Sequence, residues 1–572
     1  MSLIQKIATL VRAIGVRSAY LSPWWLAPAF LFLVSVAVTQ PATTGDTFVY
    51  CSSVVEVLRH AAPSSILWEP GHILWRPLAY FCSPLFFGLI PDRLAWTPAL
   101  KIGYGLTAVN LICGMLATVL IYDLSRRLAR NEAAAMIPAM LFVWGNGVLN
   151  YSQAGTSYVA GMFFLIAGLW WQITARRSSG MTVVGPAVFF GIAALFWLPY
   201  VLAVPAACCA RRFLATKEEA RRCVSWRQVF LAALTAGATI AGGLGLATIR
   251  AGIRSFPQWV AWLVSAGHEM RQTRRAIRAI PGCSRLFLDL GSDGIYLKRF
   301  LFHDPYHPVS ILGLIAHSGW KPALFYAFIG AVLLLAWRSE SGRRALVTLV
   351  LAGAPTLAAA IFVFEPSSPE RLFPLLPFLL WTIAAAWQTP KPMAAQWMLC
   401  LFIALLPVVN GPAFLTGISG WRQEAARRAA EFHTAAARGD ALVGIVITEP
   451  IIDVPAELYG SLNRDGAILH RTWAVDVINA HATQWPSRVA QFMLSNCTEG
   501  RATWVEKAGL ASTPADRLVW VEGDNPQIHW GDVPAFFRTF EYDRDSGGKD
   551  GFVRIACSAS NKERLRNFTS AK

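Results

Sequence analysis

The residues best able to do chemistry lie in one segment between apolar stretches, residues 40–97. Asp46 and Tyr50 are four residues apart, and the apolar residues that follow them recur at helical spacing, which predicts an amphipathic helix on a membrane surface. On that helix the two side chains would share a face. Asp46 is a candidate general base, although a helix N-cap after Gly45 would use the same residue type.

A second polar group follows in the same segment, with Glu69, His72 and Arg76 inside eight residues. A helix starting at Gly71 would place His72 and Arg76 one turn apart on one face. Because a guanidinium group binds phosphate in a bidentate manner, this pattern indicates an anion-binding rim. The alternative is an interfacial cluster whose long side chains only extend towards water.

A third polar turn stands ahead of a proline-rich apolar stretch and contains Glu370 and Arg371. An arginine at the amino end of a helix is unfavourable for the helix dipole, so Arg371 requires an anionic partner. Glu365, Glu370 or an anionic ligand could supply it. The alternative is an ordinary helix start that Ser367 or Ser368 caps.

The elements that position these groups belong to a mostly apolar chain. Of 572 residues, 55% are hydrophobic and 15% are charged, and the formal net charge is +17. Soluble domains carry roughly 25% charged residues, so the composition excludes a soluble globular enzyme, a disordered chain and a fibrous one. Most basic residues sit in short loops between apolar stretches, a pattern typical of polytopic membrane proteins and not of nucleic-acid binding.

The fold class we expect is mainly α, a polytopic transmembrane helical bundle with about eleven spans. The amino terminus reads as an uncleaved signal anchor with its start in the cytoplasm. No Asp or Glu lies within the apolar stretches, which disfavours an ion-coupled transporter. The stretches fall near residues 23–39, 98–122, 133–149, 156–174, 183–197, 199–210, 227–249, 320–337, 345–363, 372–388 and 393–416.

Two of these stretches, on either side of Trp197 and Pro199, are too short to span alone. They predict a broken hairpin whose tip is buried in protein. The segment 250–308 would then lie outside, although it carries many basic residues. If 183–210 were instead one span, segment 250–308 would lie in the cytoplasm, but the basic cluster at 211–222 would lie outside. The distribution of charge therefore does not decide between the broken hairpin and the single span.

The arginines of the basic segment 250–308 could form a solvated helix that rests on anionic lipid headgroups. His303 and His307, near Asp304, resemble a metal-binding pair only faintly, because no further ligand is near.

From residue 420 onward charges occur throughout and no spanning stretch remains. Ala441–Thr448 and Arg517–Glu522 read as buried strands, which predicts an extramembrane α/β domain over 420–572 after a transmembrane domain over 1–419. Cys497 and Cys557 could form a disulfide in an oxidising compartment.

The order of these motifs resembles the amino-terminal half of the GT-C-type glycosyltransferases. The resemblance is to the branch that uses polyprenyl-phosphate sugars, which includes bacterial aminoarabinose transferases, protein mannosyltransferases and lipopolysaccharide-core glycosyltransferases. It covers residues 20–210 and weakly 345–390. It is carried by Asp46-x-x-x-Tyr50, by Glu69 and Arg76-Pro77-Leu78-x-Tyr80, and by Tyr122-Asp123-Leu124-Ser125-Arg126-Arg127-Leu128.

The resemblance implies residue roles. Asp46 matches the catalytic carboxylate, Arg76 matches the basic residue that faces the lipid phosphate, and Glu370 with Arg371 matches the polar turn before a late span. The chain departs from the family twice. The hairpin tip, often Lys-Gly-Pro, reads Phe196–Pro199 here, and the second acid expected near 150–157 is absent, which makes a bound divalent metal doubtful.

The resulting hypothesis is transfer of a sugar, with inversion, from a polyprenyl-phosphate donor to a lipid, glycan or protein acceptor of the envelope. It predicts a multi-pass protein of the bacterial inner membrane with its carboxy-terminal domain in the periplasm, no nucleic-acid partner, no certain cofactor and no metal ligands. A flippase or exporter of lipid-linked glycans and a non-catalytic scaffold remain as alternatives. The predicted site contains Asp46 as catalytic residue and, as donor-phosphate or substrate ligands, Arg76, His72, Glu69, Tyr50, Glu370, Arg371, Arg274 and Arg275.

Overall fold

The chain folds into helices followed by a small mixed sheet, which confirms the expected fold class. The computed structural model describes residues 25–39, 45–91, 98–129, 131–175, 180–214, 224–265, 276–290, 295–302, 307–364, 366, 368–387, 393–415, 439–444, 470–473, 483–511, 531–543 and 552–570. Two compact units result, one from residues 1–94, 100–290 and 321–417 and the other from 95–99, 291–320 and 418–572. The domain limits expected from the sequence, 1–419 and 420–572, stay a prediction.

The described residues of the stretches predicted to span the membrane are mainly helical, although the stretch 133–149 is divided between two helices at Gly145. Polar caps start several of the helices: Asn131 accepts a hydrogen bond from the Ala134 amide, and Ser225 forms a capping box with Gln228. The helices are α1 (Leu26–Val38), α2 (Gly45–Leu58), α3 (Trp75–Leu89), α4 (Pro98–Ala129), α5 (Glu132–Trp144), α6 (Asn146–Ser152), α7 (Tyr158–Thr174), α8 (Gly180–Phe196), α9 (Val204–Leu214), α10 (Trp226–Arg250), α11 (Phe256–Ser265), α12 (Ala279–Arg285), α13 (Ile295–Phe302), α14 (Ile311–Leu314), α15 (Trp320–Trp337), α16 (Glu340–Phe362), α17 (Leu376–Trp387), α18 (Met393–Leu415), α19 (Trp485–Thr498), α20 (Asp532–Arg538) and α21 (Ala559–Ser570).

Among the described residues, four helical stretches are long and apolar enough to cross a bilayer by length and composition. Several shorter apolar helices accompany them, so the count of about eleven spans stays a prediction. The four stretches are Pro98–Ala129, Trp226–Arg250, Ile311–Trp337, which includes a π turn at Ile315–Gly319, and Glu340–Phe362.

The chain forms the predicted broken hairpin between α8 and α9. Trp197 interrupts the helix with an extended backbone, φ −152° and ψ 111°, and a 3₁₀ turn over Leu198–Ala203 follows. Beyond the turn, Gln172 Nε2 donates to the Cys208 carbonyl (3.2 Å) and Arg211 Nη2 to the Ala175 carbonyl (3.0 Å). Therefore α9 returns alongside α7, towards the end at which α8 begins, and Trp197 is buried at the tip.

The first unit has two chemically different ends, identified by the direction of α7. At the Tyr158 end, named the site end, Trp262 Nε1 donates to the Trp68 carbonyl (2.9 Å) and Asn146 Nδ2 to the Arg285 carbonyl (3.1 Å). Trp68 of segment 40–97 and Trp262 and Arg285 of segment 250–308 thus lie at one end of the first unit, as the broken hairpin predicts. The opposite end, named the basic end, holds Asp123, Arg126, Arg127, Ala175 and Arg211.

The second unit contains a four-stranded sheet in the order β2–β1–β3–β4. Strand β1 (Ala441–Gly444) pairs in parallel with β2 (His470–Trp473) and β3 (Thr503–Glu506), and β4 (Phe552–Ile555) runs antiparallel to β3. Cys497 and Cys557, whose pairing the sequence left open, form a disulfide. The part of the first predicted strand after residue 444, and all of Arg517–Glu522, lie outside the described residues.

Candidate functional site

Among the residues that the structure describes, a single neutral donor holds the Asp46 carboxylate. Asp46 is the second residue of α2 and is half-buried, and its Oδ2 accepts a hydrogen bond from the Tyr158 hydroxyl (2.7 Å). Within the described part of the chain it forms no ion pair and does not cap its helix. A carboxylate at a helix amino end, with one oxygen that accepts no hydrogen bond from a described residue, can still accept a proton from a substrate.

Tyr158 connects this carboxylate to the rest of the site end. Its ring packs edge-on against Tyr151 and Trp197, each with a centroid distance of 5.0 Å, and is tilted against His72 at 5.7 Å. The Tyr200 hydroxyl donates to the Tyr158 carbonyl (2.8 Å). Aromatic contacts of this kind fix ring orientation, so the position of the Tyr158 hydroxyl is determined by residues from three separate segments.

Glu69 and Arg76 form a buried ion pair beside this cluster. Arg76 Nη2 lies 2.7 Å from Glu69 Oε2, and Arg76 Nη1 donates to the Ile66 carbonyl (2.9 Å). The guanidinium carbon lies 5.2 Å from the centre of the Tyr50 ring. Much of the charge of Arg76 is therefore neutralised by its own segment, and this arginine shapes the segment as well as facing the site.

His72 points into the protein. Its Nδ1 lies 2.6 Å from the Ser157 Oγ, and the side chain is buried. The expectation that His72 and Arg76 share a helix is wrong, because α3 begins only at Trp75. The residues before it are instead tied to the hairpin, with the Leu74 amide donating to the Leu195 carbonyl (3.2 Å).

The Tyr50 hydroxyl is a buried donor whose hydrogen-bond partner is not found among the described residues. Burial, together with the nearby carboxylates of Asp46 and Glu69, raises the pKa of Tyr50 well above its usual value. Tyr50 therefore keeps its hydroxyl proton, which it needs in order to donate a hydrogen bond to a ligand.

Glu370 and Arg371 reach the same site end on a 3₁₀ turn over Pro369–Leu375. Glu370 Oε2 accepts from the Tyr151 hydroxyl (2.7 Å), and Glu370 Oε1 lies 3.8 Å from Arg371 Nε. The side chain of Ser368 does not cap this turn, and Glu365 and Ser367 lie outside the described residues. The structure thus brings Asp46, Tyr50, Glu69, His72, Arg76, Glu370 and Arg371 to one end of the bundle.

Three important residues of the site were not predicted from the sequence, namely Tyr151, Tyr158 and Trp197. The first two lie in the stretch YSQAGTSY, for which the only expectation from the sequence was that the family's second acidic residue is absent. Each tyrosine instead binds an acid from another segment. The predicted ligands Arg274 and Arg275 lie outside the described residues.

The possible metal ligands among the described residues do not form a metal-binding site. No three His, Cys, Asp or Glu side chains come together among the described residues in a way that could hold one. Glu69 and Glu370 already have partners at 2.7 Å. His303 and Asp304 are outside the described ranges.

No protein-family model matches the chain, and no curated protein sequence matches it. Among solved structures, the crystal structure of ArnT from Cupriavidus metallidurans bound to undecaprenyl phosphate is similar, with 13% identity and a TM-score of 0.45 over 94% of this chain and 98% of that one. The apo structure of the same protein gives 13% identity and a TM-score of 0.40 over 98% and 99%. Similarity of this strength assigns no activity to this chain.

Proposed function

We propose that the chain is a membrane glycosyltransferase that moves a sugar from a polyprenyl-phosphate donor to an acceptor of the bacterial envelope. The reaction takes place at the site end, on the external face of the inner membrane. The acceptor is a lipid, glycan or protein carrying a nucleophilic hydroxyl or amine.

The proposed chemistry is a single displacement at the anomeric carbon. The acceptor oxygen or nitrogen forms a bond to that carbon while the bond from the carbon to the phosphate oxygen breaks. Asp46 takes the acceptor proton, and the polyprenyl phosphate leaves with the electron pair of the broken bond, next to Arg371 and Arg76. One displacement with one base predicts inversion of the anomeric configuration.

The observation that carries this proposal is the state of Asp46. Among the described residues it is an acid with one neutral hydrogen-bond donor and no attached cation, at a site that contains two arginines. A purely structural buried carboxylate is normally paired with a cation. Asp46 therefore has the features of a general base more than those of a structural acid.

The helix that carries Arg76 also presents an exposed apolar face. Phe81, Leu85 and Leu89 on α3 are 73%, 59% and 69% exposed, and their spacing of four residues places them in one stripe. Arg76 lies on the opposite face of α3, so the helix can contact lipid with one face while its arginine faces the site.

The test is a transfer assay in reconstituted vesicles with a labelled polyprenyl-phosphate sugar and an envelope extract as acceptor. We expect Asp46→Asn to lower transfer about 10²- to 10⁴-fold, the usual loss for a general base, while donor binding is kept. Unchanged transfer in Asp46→Asn would reject the mechanism. Label that crosses the bilayer equally in both proteins without being transferred would identify an exporter.

A further inference from the structure

The guanidinium group of Arg371 is held by aromatic rings. Its central carbon lies 4.8 Å from the centre of the Phe364 ring and 5.7 Å from that of Trp197. Its nearest described acid, Glu370, is 3.8 Å from Nε and already accepts from Tyr151. Arg371 Nε is buried without a hydrogen-bond partner among the described residues.

Trp197, one of these rings, is fixed by the segments around it. It stands at the hairpin tip, where the Leu198 amide donates to the Gly71 carbonyl (3.1 Å). Its ring also packs edge-on against Tyr200 at 5.4 Å, in addition to its contact with Tyr158. A buried indole anchored in this way is a rigid support for a cation.

Resting on the proposed function, we propose that Arg371 is the main ligand of the donor phosphate and that Trp197 is its positioning residue. A ring holds a guanidinium through its face and leaves the charge and the N–H donors, which lie around the guanidinium edge, available to an anion. Arg76 differs, because both of its terminal nitrogens already have partners: Nη2 pairs with Glu69 and Nη1 donates to the Ile66 carbonyl. The hairpin tip therefore contributes to phosphate binding through the arginine that it supports.

The experiment measures binding of radiolabelled polyprenyl phosphate to the purified full-length chain in lipid nanodiscs. We expect Trp197→Leu to weaken binding roughly three- to thirty-fold, the range that corresponds to a cation–π contact, and Trp197→Phe to restore most of the loss. Arg371→Ala should weaken binding about ten- to hundredfold, as expected for a charged hydrogen-bonded contact. Trp337→Leu, which replaces a 65% exposed indole on α15, is the matched control and should bind as the wild type does.

A double-mutant comparison separates positioning from a general structural effect. Trp197→Leu should cause no further loss of binding when Arg371 is already alanine, because the supported group is gone. An equal loss in both backgrounds, or wild-type affinity in Trp197→Leu, would overturn the inference. Should Trp197→Leu fail to fold, Phe364→Leu makes the same comparison with the second ring. Wild-type protein that does not bind polyprenyl phosphate at all would reject the proposed function itself.

Discussion

The two ends of the bundle each contain a buried or half-buried aspartate, and the two differ in their partners. At the basic end Asp123 is 1% exposed and accepts hydrogen bonds from Arg126 (2.9 Å), Arg127 (2.7 Å) and the Trp170 indole (2.8 Å). Both of its oxygens are bound and its charge is neutralised. At the site end Asp46 has one neutral donor and stays half-buried.

This difference teaches how to separate a structural acid from a reactive one in a single chain. Asp123 binds two arginines of its own helix at i+3 and i+4, so sequence spacing alone creates the pairing. Asp46 depends on a tyrosine 112 residues away. An acid that is positioned without being neutralised retains its ability to accept a proton.

The largest effect is expected when each aspartate is replaced by asparagine: one variant should lose activity and the other should lose stability. Asp46→Asn should abolish most transfer with little change in thermal stability, because no ion pair is lost. Asp123→Asn should leave the kcat of the folded fraction unchanged but lower stability by about 2 kcal/mol, because two partly buried arginines lose a charged acceptor. Transfer assays and thermal unfolding in detergent measure the two properties.

The two variants serve as controls for each other, since each replaces one carboxylate by an amide of the same size. If Asp123→Asn reduced kcat as strongly as Asp46→Asn does, the division into a reactive end and a structural end would be wrong.

Removing the hydroxyl that holds Asp46 should have the next largest effect. Tyr158→Phe keeps the ring contacts with Tyr151 and Trp197 but removes the hydrogen bond to the carboxylate. We expect kcat to fall about tenfold, because a hydrogen bond to a charged group contributes roughly 1.5–3 kcal/mol. Donor affinity should change little. The measurement is a separate determination of kcat and KM, and a change confined to KM would contradict the role given to Tyr158.

A smaller effect on stability and donor affinity is expected at the ion pair between Glu69 and Arg76, the neutralised pair of the site end. Arg76→Gln leaves the Glu69 carboxylate without its 2.7 Å cation, so stability should fall by about 1–3 kcal/mol. Donor affinity should fall less than it does in Arg371→Ala, because Arg371 carries most of the phosphate contact. Unfolding and lipid-binding measurements on both variants test this order. The reverse order of affinities would make Arg76 the main ligand.

The smallest effect concerns the third donor to Asp123. Trp170→Phe keeps an aromatic ring in α7 and removes only the indole N–H that donates to Oδ2 (2.8 Å). Stability should fall by about 1 kcal/mol and transfer should not change. Thermal unfolding with a parallel activity assay tests this, and a loss of transfer would show that the basic end also affects the reaction.

The sequence predicted the features that depend on neighbouring residues. Apolar stretches located the helices, and the short stretches on either side of Trp197 predicted the broken hairpin. Because Asp46, Glu69 and Arg76 share the polar segment 40–97, they were correctly expected at one end of the bundle. Their roles stay predictions.

Contacts between distant segments could not be predicted in this way. The bond from Tyr151 to Glu370 joins residues 219 apart, and periodicity within one stretch contains no information about such pairs. The start of α3 at Trp75 was missed for the same reason, because the hairpin tip binds the backbone just before it. Likewise, an arginine held by Trp197 is visible only once the hairpin and the 3₁₀ turn are folded.

The central claim is that Asp46 serves as a base in a single displacement. The most direct measurement is the anomeric configuration of the product that the wild-type protein forms from the labelled donor and the acceptor, with the Asp46→Asn protein assayed in parallel. The account predicts a product with the configuration opposite to that of the donor, and no such product from Asp46→Asn protein that still binds the donor. A product with the donor's own configuration, which requires two displacements, or full transfer by Asp46→Asn, would contradict it.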